Sequence, residues 1–218
     1  MKKRLVIALV LLVLLSTYKP QELSLNSKFN IKEIKIENNH ILKDEDIKKD
    51  LIFLYDTNLI FLNTNKIKLI LKSNNFIQSF EVKKIYPNKI KIKIFEKKPI
   101  VILQYKKKKF YISETFDLIN FLDLEDYKNL PVVFGKQNDF KILYKNLKKI
   151  NFPLNLIKKY YLYESKRWDL EIDKNKIIKL PTENYTKSLV NFMNLSKENN
   201  FDKYSIYDYR ISNQLILK

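Results

Sequence analysis

The sequence predicts an α+β protein in three parts. These are a single N-terminal transmembrane helix, a small domain ordered strand, helix, helix, strand, strand, and a mixed β domain with an extended antiparallel sheet and flanking helices. Three observations predict it. An apolar run starts four residues into the chain, the stretch from Phe29 to Ile102 switches between two-residue and helical hydrophobic periods in that order, and after Pro99 the pattern turns to short strands and hairpins. A chain of 218 residues and 26.4 kDa is long enough for two small domains, each with its own core.

Lys2, Lys3 and Arg4 form a short basic tail (1–4), and Leu5 to Leu15 follow without a polar residue. A helix over Leu5–Leu15 covers about 17 Å, short against a hydrocarbon core of about 30 Å. That length suits the core of a signal peptide. The exit Ser-Thr-Tyr-Lys-Pro-Gln-Glu, however, lacks a small-x-small cleavage site, and Tyr18 and Lys19 suit a membrane interface. The reading is therefore an uncleaved signal anchor over 5–18, with the basic tail inside and everything after Pro20 outside. Residues 19–28, polar and interrupted by Pro20, form a linker.

The first domain runs from 29 to 99. Ile31, Ile34 and Ile36 mark a strand before Asn38 and Asn39 turn the chain. Asp44, Glu45 and Asp46 lie in the first turn of a helix, where acids complement the positive end of the helix dipole, and Ile47, Leu51 and Leu54 are its apolar face. A second helix starts near Asn63, a suitable N-cap, and buries Ile67, Ile70 and Leu71. Phe80 and Val82 alternate with polar residues, Tyr86-Pro87-Asn88-Lys89 turns, and Ile90, Ile92 and Ile94 alternate with lysines in a strand solvated on one face.

The second domain, 100–218, opens with a strand at Ile100, Ile102 and Gln104, a Lys106–Lys109 turn, and a return through Phe110, Tyr111 and Ile112. That lysine run reads as a solvated hairpin tip, with an anionic-lipid contact as the alternative. Leu130-Pro131-Val132-Val133-Phe134-Gly135 holds the single glycine of the chain, and Gly135 is expected to occupy a backbone conformation closed to other residues. A helix over Asp139–Ile150 with Leu143 and Leu147 inward, strands around Tyr160–Tyr163, Trp168–Ile172 and Ile177–Leu180, and a tip at Asp173-Lys174-Asn175-Lys176 follow. Pro181 and Thr182 are expected to open another helix with Tyr185, Leu189, Phe192 and Met193 as its core face. The last element is a strand from Tyr204 to Leu217.

Very little in the chain could perform chemistry. No cysteine is present, which removes disulfides, thiolate metal sites and cysteine nucleophiles together. His40, the single histidine, cannot build an imidazole cluster and reads as a turn residue beside Asn38 and Asn39. One glycine cannot make a phosphate loop, and neither Ser-x-x-Lys nor Gly-x-Ser-x-Gly occurs. Glu96 with Lys97 and Lys98 reads as solvated or paired charge at a strand end. Trp168 and the tyrosines could stack on nucleotides or sugars, but strand alternation and helix spacing assign most of them to packing. The reading is of no catalytic residue, no cofactor and no metal.

The formal net charge of +18 would ordinarily point to nucleic acid or an anionic surface. The lysines are spread over nearly every element, in a composition rich in Lys, Asn, Ile, Phe and Tyr, so the charge reads as diffuse and solvated, with no nucleic-acid partner and no small-molecule substrate.

The ordered set in the first domain resembles the POTRA module. Asn39 stands where that module has the Asn of a Gly-Asn pair, Asp56-Thr57-Asn58-Leu59 where it turns before the second helix, and Pro87 with Ile90, Ile92 and Ile94 where it has its closing hairpin. Glu96-Lys97-Lys98-Pro99 matches the terminal Glu-Arg-x-Pro signature, with Asn38 replacing glycine and Lys97 replacing arginine. Asparagine tolerates left-handed backbone, so the turn is still feasible. With Phe110-Tyr111-Ile112-Ser113, Leu130-Pro131-Val132-Val133-Phe134-Gly135, Arg167-Trp168-Asp169-Leu170, Lys179-Leu180-Pro181 and Asp208-Tyr209-Arg210, the whole chain resembles the FtsQ/DivIB family of bacterial cell-division proteins. Ser113 replaces the usual aspartate and Asn175 the usual hairpin glycine.

That resemblance implies a non-catalytic, single-pass inner-membrane scaffold of the divisome. Its N-terminus is cytoplasmic and its bulk periplasmic, it sits at the septum, and it complexes with FtsB and FtsL, with the POTRA surface open to other septal proteins. The final strand would be the docking edge, involving Tyr207, Tyr209, Arg210, Ile211, Ser212, Asn213 and Leu215, with Arg210 as charged anchor. No later element is expected to cover that edge. Asn39, Pro87, Glu96, Pro99, Pro131, Gly135, Trp168 and Asp208 carry the structural motifs. The alternatives are a POTRA-bearing transport or assembly component, which would go with further modules and a barrel, and a secreted periplasmic binding protein or enzyme, which would need a cleaved signal and a polar-lined pocket.

Overall fold

The computed structural model describes residues 2–17, 28–197, 203–211 and 214–218. Helix α1 (Lys2–Thr17) extends the apolar run by a turn or less at each end. At 16 residues it rises about 24 Å, and among the described residues no helix is long and apolar enough to cross a membrane. Tyr18 and residues 19–27 of the expected anchor end and linker lie outside the described residues.

Two compact units follow from the way the chain packs, the first comprising Met1–Ser73 with Ser79–Phe95, the second Asn74–Gln78 with Glu96–Lys218. In the first, β1 (Glu33–Glu37), α2 (Asp44–Asp50), a 3-10 turn (Ile52–Asp56), α3 (Asn65–Ser73), β2 (Ile77–Ile85) and β3 (Lys89–Glu96) appear in the expected order. The three strands lie in the order β1-β3-β2, with β1 parallel to β3 so that Ile34 pairs with Ile90 and Ile36 with Ile92. The alternation in β3 buries Ile90, Ile92 and Ile94 completely, and Ile47, Leu51, Leu54, Ile67 and Leu71 are buried in the same unit.

The asparagines after β1 close its turn. Asn38 adopts φ 64° and its Nδ2 donates to Ile94 O at 2.7 Å. Asn39 Nδ2 donates to Leu42 O and to Asp44 Oδ1, both at 2.7 Å, tying the turn to the start of α2. The cap position of α2 itself is Lys43, which makes no side-chain cap, so Asn39 acts on that helix start from further upstream. Asn63 Oδ1 accepts the Asn65 N–H at 2.9 Å, as an N-cap residue should. Pro87 follows a cis peptide in the turn between β2 and β3.

The second unit is built on nine strands: β4 (Pro99–Tyr105), β5 (Lys108–Ser113), β6 (Leu118–Asn120), β7 (Val132–Phe134), β8 (Ile157–Leu162), β9 (Trp168–Ile172), β10 (Lys176–Lys179), β11 (Ile206–Asp208) and β12 (Ile216–Leu217). Their order is β12-β11-β10-β9-β8-β7-β4-β5-β6. Helices α4 (Gln137–Lys149) and α5 (Tyr185–Leu195) pack Phe140, Leu143, Leu147, Leu189 and Phe192 against Val133, Tyr160, Leu170, Ile178 and Tyr207.

This sheet corrects the expectation of an extended antiparallel one. The pairs β4/β7, β7/β8 and β10/β11 are parallel. The segments joining them are too long for hairpins, and α4 and α5 serve as the crossovers for the last two pairs, so the chain re-enters the sheet in the same direction.

Three other expectations change. Gly135 has no positive φ. A Cβ there would instead meet Leu162 Cβ at 3.0 Å and Trp168 Cη2 at 3.2 Å, so the position requires space rather than a left-handed backbone. The left-handed conformation falls to non-glycine residues at other turns, Lys174 and Asn175 among them. The helix expected to open at Pro181 and Thr182 starts at Tyr185, after Asn184 at φ 54°. The final strand from Tyr204 to Leu217 is two short strands, β11 and β12, running antiparallel.

Candidate functional site

The expected docking residues lie on the terminal hairpin at one margin of the nine-stranded sheet. β11 enters beside β10 in parallel, pairing Ile177 with Ile206 and Lys179 with Asp208. The Ile177 N–H donates to Ser205 O and the Tyr209 N–H to Lys179 O, each at 2.8 Å. The chain then reverses, and β12 pairs Leu217 with Tyr207 and Ile216 with Asp208. β12 thus covers the edge of β11 that was expected to stand open, and the outermost strand is β12 itself. Ser212 and Asn213, also expected among the docking residues, lie outside the described residues.

The ladder also defines which groups of β12 face outward. Ile206 and Lys218 exchange both backbone hydrogen bonds, at 3.0 and 3.1 Å. Alternate residues of an antiparallel strand point their N–H and C=O to opposite sides, so Leu217 directs both away from β11.

Side chains divide between core and surface. Tyr207 and Tyr209, expected among the partner contacts, are buried in the chain's own core. The Tyr207 ring stands edge-on to Phe192 at 4.9 Å, and Tyr209 Oη donates to Asn191 Oδ1 at 2.8 Å. Burial pushes the Tyr209 phenol upward from its ordinary range. These two fully inward tyrosines supply most of the hairpin's apolar anchorage, with Leu215 and Leu217 partly buried beside them. Ile211 is exposed, and Leu215 is half-buried against the same core.

Arg210, expected as a charged anchor for a partner, is already engaged. Its Nε donates to Asp208 Oδ1 at 2.8 Å and its Nη2 to Asp208 Oδ2 at 2.6 Å, while the Arg210 N–H donates to Asp208 Oδ1 at 3.1 Å. The guanidinium hydrogen bond holds the Asp208 carboxyl below its usual range, and Asp208 raises Arg210 in turn. An open cavity of about 500 Å³ brings Tyr209, Arg210, Ile211 and Leu215 together, facing Lys187 and Asn191 of α5.

The register links this margin to the sheet interior. Tyr161, Asp169, Lys179, Asp208 and Ile216 form one row across five strands. Asp169 is buried, its Oδ1 lies 3.3 Å from Arg167 Nε, and neither atom has a hydrogen-bond partner. Burial raises the Asp169 carboxyl, partly offset by Arg167.

The remaining motif residues support the two cores. Trp168 is buried beside Gly135. Pro131 O accepts the Ile102 N–H at 2.8 Å, Pro99 opens β4, and Glu96 closes β3. Among the described residues no cluster of His, Asp and Glu could hold a metal ion. Sequence reasoning missed Lys176, a lysine buried at the start of β10; the alternation of Lys176 with the inward Ile178 was its signal.

Residues 29–97 match the family model described as the POTRA domain, FtsQ-type. The chain is 27% identical over 194 residues to the cell division protein FtsQ of Rickettsia bellii, covering 87% of this chain and 72% of that protein. It is 30% identical over 177 residues to FtsQ of Rickettsia prowazekii, covering 74% of this chain and 66% of that protein. With the cell division protein DivIB of Clostridium tetani the identity is 33% over 106 residues, covering 48% of this chain and 39% of that protein.

Proposed function

We propose that this chain, which belongs to the FtsQ/DivIB family of bacterial cell-division proteins, is a non-catalytic scaffold that captures partner strands on β12. Its cell-division role comes with the family. The reading adds a single-pass inner-membrane topology with the N-terminus cytoplasmic, the two units in the periplasm at the septum, and FtsB and FtsL as partners. β12 ends the nine-stranded sheet among the described residues, and the outward N–H and C=O of Leu217 carry the reading. An unpaired edge is a template for an incoming strand: main-chain hydrogen bonds supply affinity, and neighbouring side chains set register. The cavity beside Ile211 and Leu215 would receive side chains of that strand.

Leu217→Pro tests this in the full-length chain. It removes an outward N–H and leaves the β11–β12 ladder intact, because proline is tolerated where an edge N–H faces solvent. Titration with the periplasmic segment of FtsB is expected to show binding weakened at least several-fold, with an unchanged circular dichroism spectrum. Wild-type affinity would remove β12 from the mechanism. For the anchor, full-length chain is expected to stay in membranes through an alkaline wash with its N-terminal residues retained, and a soluble form beginning near Tyr18 to Glu22 would overturn that topology.

A further inference from the structure

We infer that Lys176 is the positioning residue of the terminal hairpin: its ammonium sets the register in which β11 joins β10, and so determines where the outer edge of β12 is presented. The functional consequence rests on the docking reading above; the register itself does not.

Among the described residues Lys176 is the one buried lysine, 4% exposed. Its Nζ donates to Tyr204 O, 28 residues further along the chain, at 2.6 Å, and lies 5.9 Å from the centre of the Tyr207 ring. Lysine is almost never fully buried without a partner, because its ammonium gives up hydration. A methionine would fill similar space without that cost, so the distinct contribution of lysine here is a charged donor that reaches the Tyr204 carbonyl.

That carbonyl lies where the hairpin most needs definition. β11 has three residues and β12 two, so the pair meets the sheet through few rungs, and the β10/β11 rungs are parallel. A slip of one residue would turn Tyr207 and Tyr209 away from the apolar core and put the Asp208 carboxylate on the face that they now occupy, since side chains alternate along a strand. It would also present a carbonyl of opposite direction to Lys176. The Lys176 side chain bonds Tyr204 while the next residue's N–H bonds Ser205 O at 2.8 Å, so two consecutive residues of β10 grip two consecutive residues ahead of β11. The outward direction of the Leu217 amide follows from that grip through β11, because the β12 register is counted from Ile206.

Hydrogen exchange on the full-length chain in detergent, comparing wild type, Lys176→Met and Lys176→Gln, tests the assignment. Lys176→Met is expected to speed exchange of the Ile206 and Lys218 amides by roughly ten- to a hundred-fold, the effect of losing a charge-assisted bond on a local opening. The amides of β8 and β9 should be unaffected. Lys176→Gln, whose amide can still donate, should fall between, and binding of the FtsB segment should weaken in the same order. Unchanged exchange at Ile206 and Lys218 overturns the assignment, as does loss of protection across the whole sheet in both variants. The two readings fail separately. Faster hairpin exchange in Lys176→Met with wild-type affinity in Leu217→Pro removes the docking edge and keeps the clamp; the reverse keeps the edge and removes the clamp.

Discussion

Arg210 closes its guanidinium on Asp208, two residues upstream, through hydrogen bonds to both carboxylate oxygens. The fork that was expected to reach a partner is satisfied within the hairpin. A partner carboxylate approaching Arg210 meets a guanidinium that shares its charge with Asp208, so Arg210 orders the edge before it recognises anything.

The first prediction is the pH dependence of this pair. Asp208 is held below its ordinary range by Arg210, so its folded pKa is lower than its unfolded one. The stabilisation is present above the ordinary carboxyl value and is lost as pH falls through the folded pKa. Arg210→Met should therefore lower the melting temperature at pH 7 and differ progressively less from wild type below about pH 4. A gap independent of pH would mean that the pair adds packing only.

Asp169 should behave oppositely. Burial raises its carboxyl, so between the ordinary value and the folded pKa the native state holds the extra proton, and stability declines as pH rises through that window. Asp169→Asn keeps the shape without the charge. It is expected to raise the melting temperature at pH 7, with the advantage vanishing below about pH 4. A lower melting temperature at pH 7 would show that pairing with Arg167 outweighs burial.

Gly135→Ala should destabilise the second unit by about 1–3 kcal/mol, the usual cost of overpacking. The added Cβ meets Leu162 Cβ and Trp168 Cη2, the latter on a ring fixed in the core. Trp168→Phe removes Cη2, so in denaturant titrations the double variant should lose less than the sum of the two single losses. Strict additivity would place the clash elsewhere.

Asn39→Ala should cost the first unit about 1–2 kcal/mol, because two hydrogen bonds from one amide, to Leu42 O and Asp44 Oδ1, disappear together. Asn39→Asp should be worse than its small change in shape suggests, since it replaces the donor with a carboxylate facing Asp44. Equal melting curves for wild type and Asn39→Ala would show that the turn holds without it.

The local periodicities of the first unit were legible apart from Ile70, expected inward but half-buried, and Leu54, expected on the first helix but placed in the 3-10 turn after it. Ile90, Ile92 and Ile94 alternate, Ile67 and Leu71 recur at helical spacing, and each element follows from contacts its own residues make with a single core. The motif Asp208-Tyr209-Arg210 begins at the end of β11, the strand next to the last one of the sheet. Single residues could be read correctly in place and wrongly in role: Gly135 is required by the nearness of Trp168, which lies 33 positions along the chain and leaves no mark on the glycine's neighbours.

What the sequence determined by itself was the α+β class, the order of strands and helices in the first unit and the resemblance to the FtsQ/DivIB family, because these depend on side-chain periods and residue types that act locally. The tertiary structure alone decided that the sheet is mixed, that β12 covers β11, that Tyr207 and Tyr209 face inward and that Lys176 reaches Tyr204. Strand neighbours are chosen by which backbone edges remain unpaired once the core has formed, and no local pattern carries that information. Which edge remains for a partner is therefore settled only when the last strand has found its place.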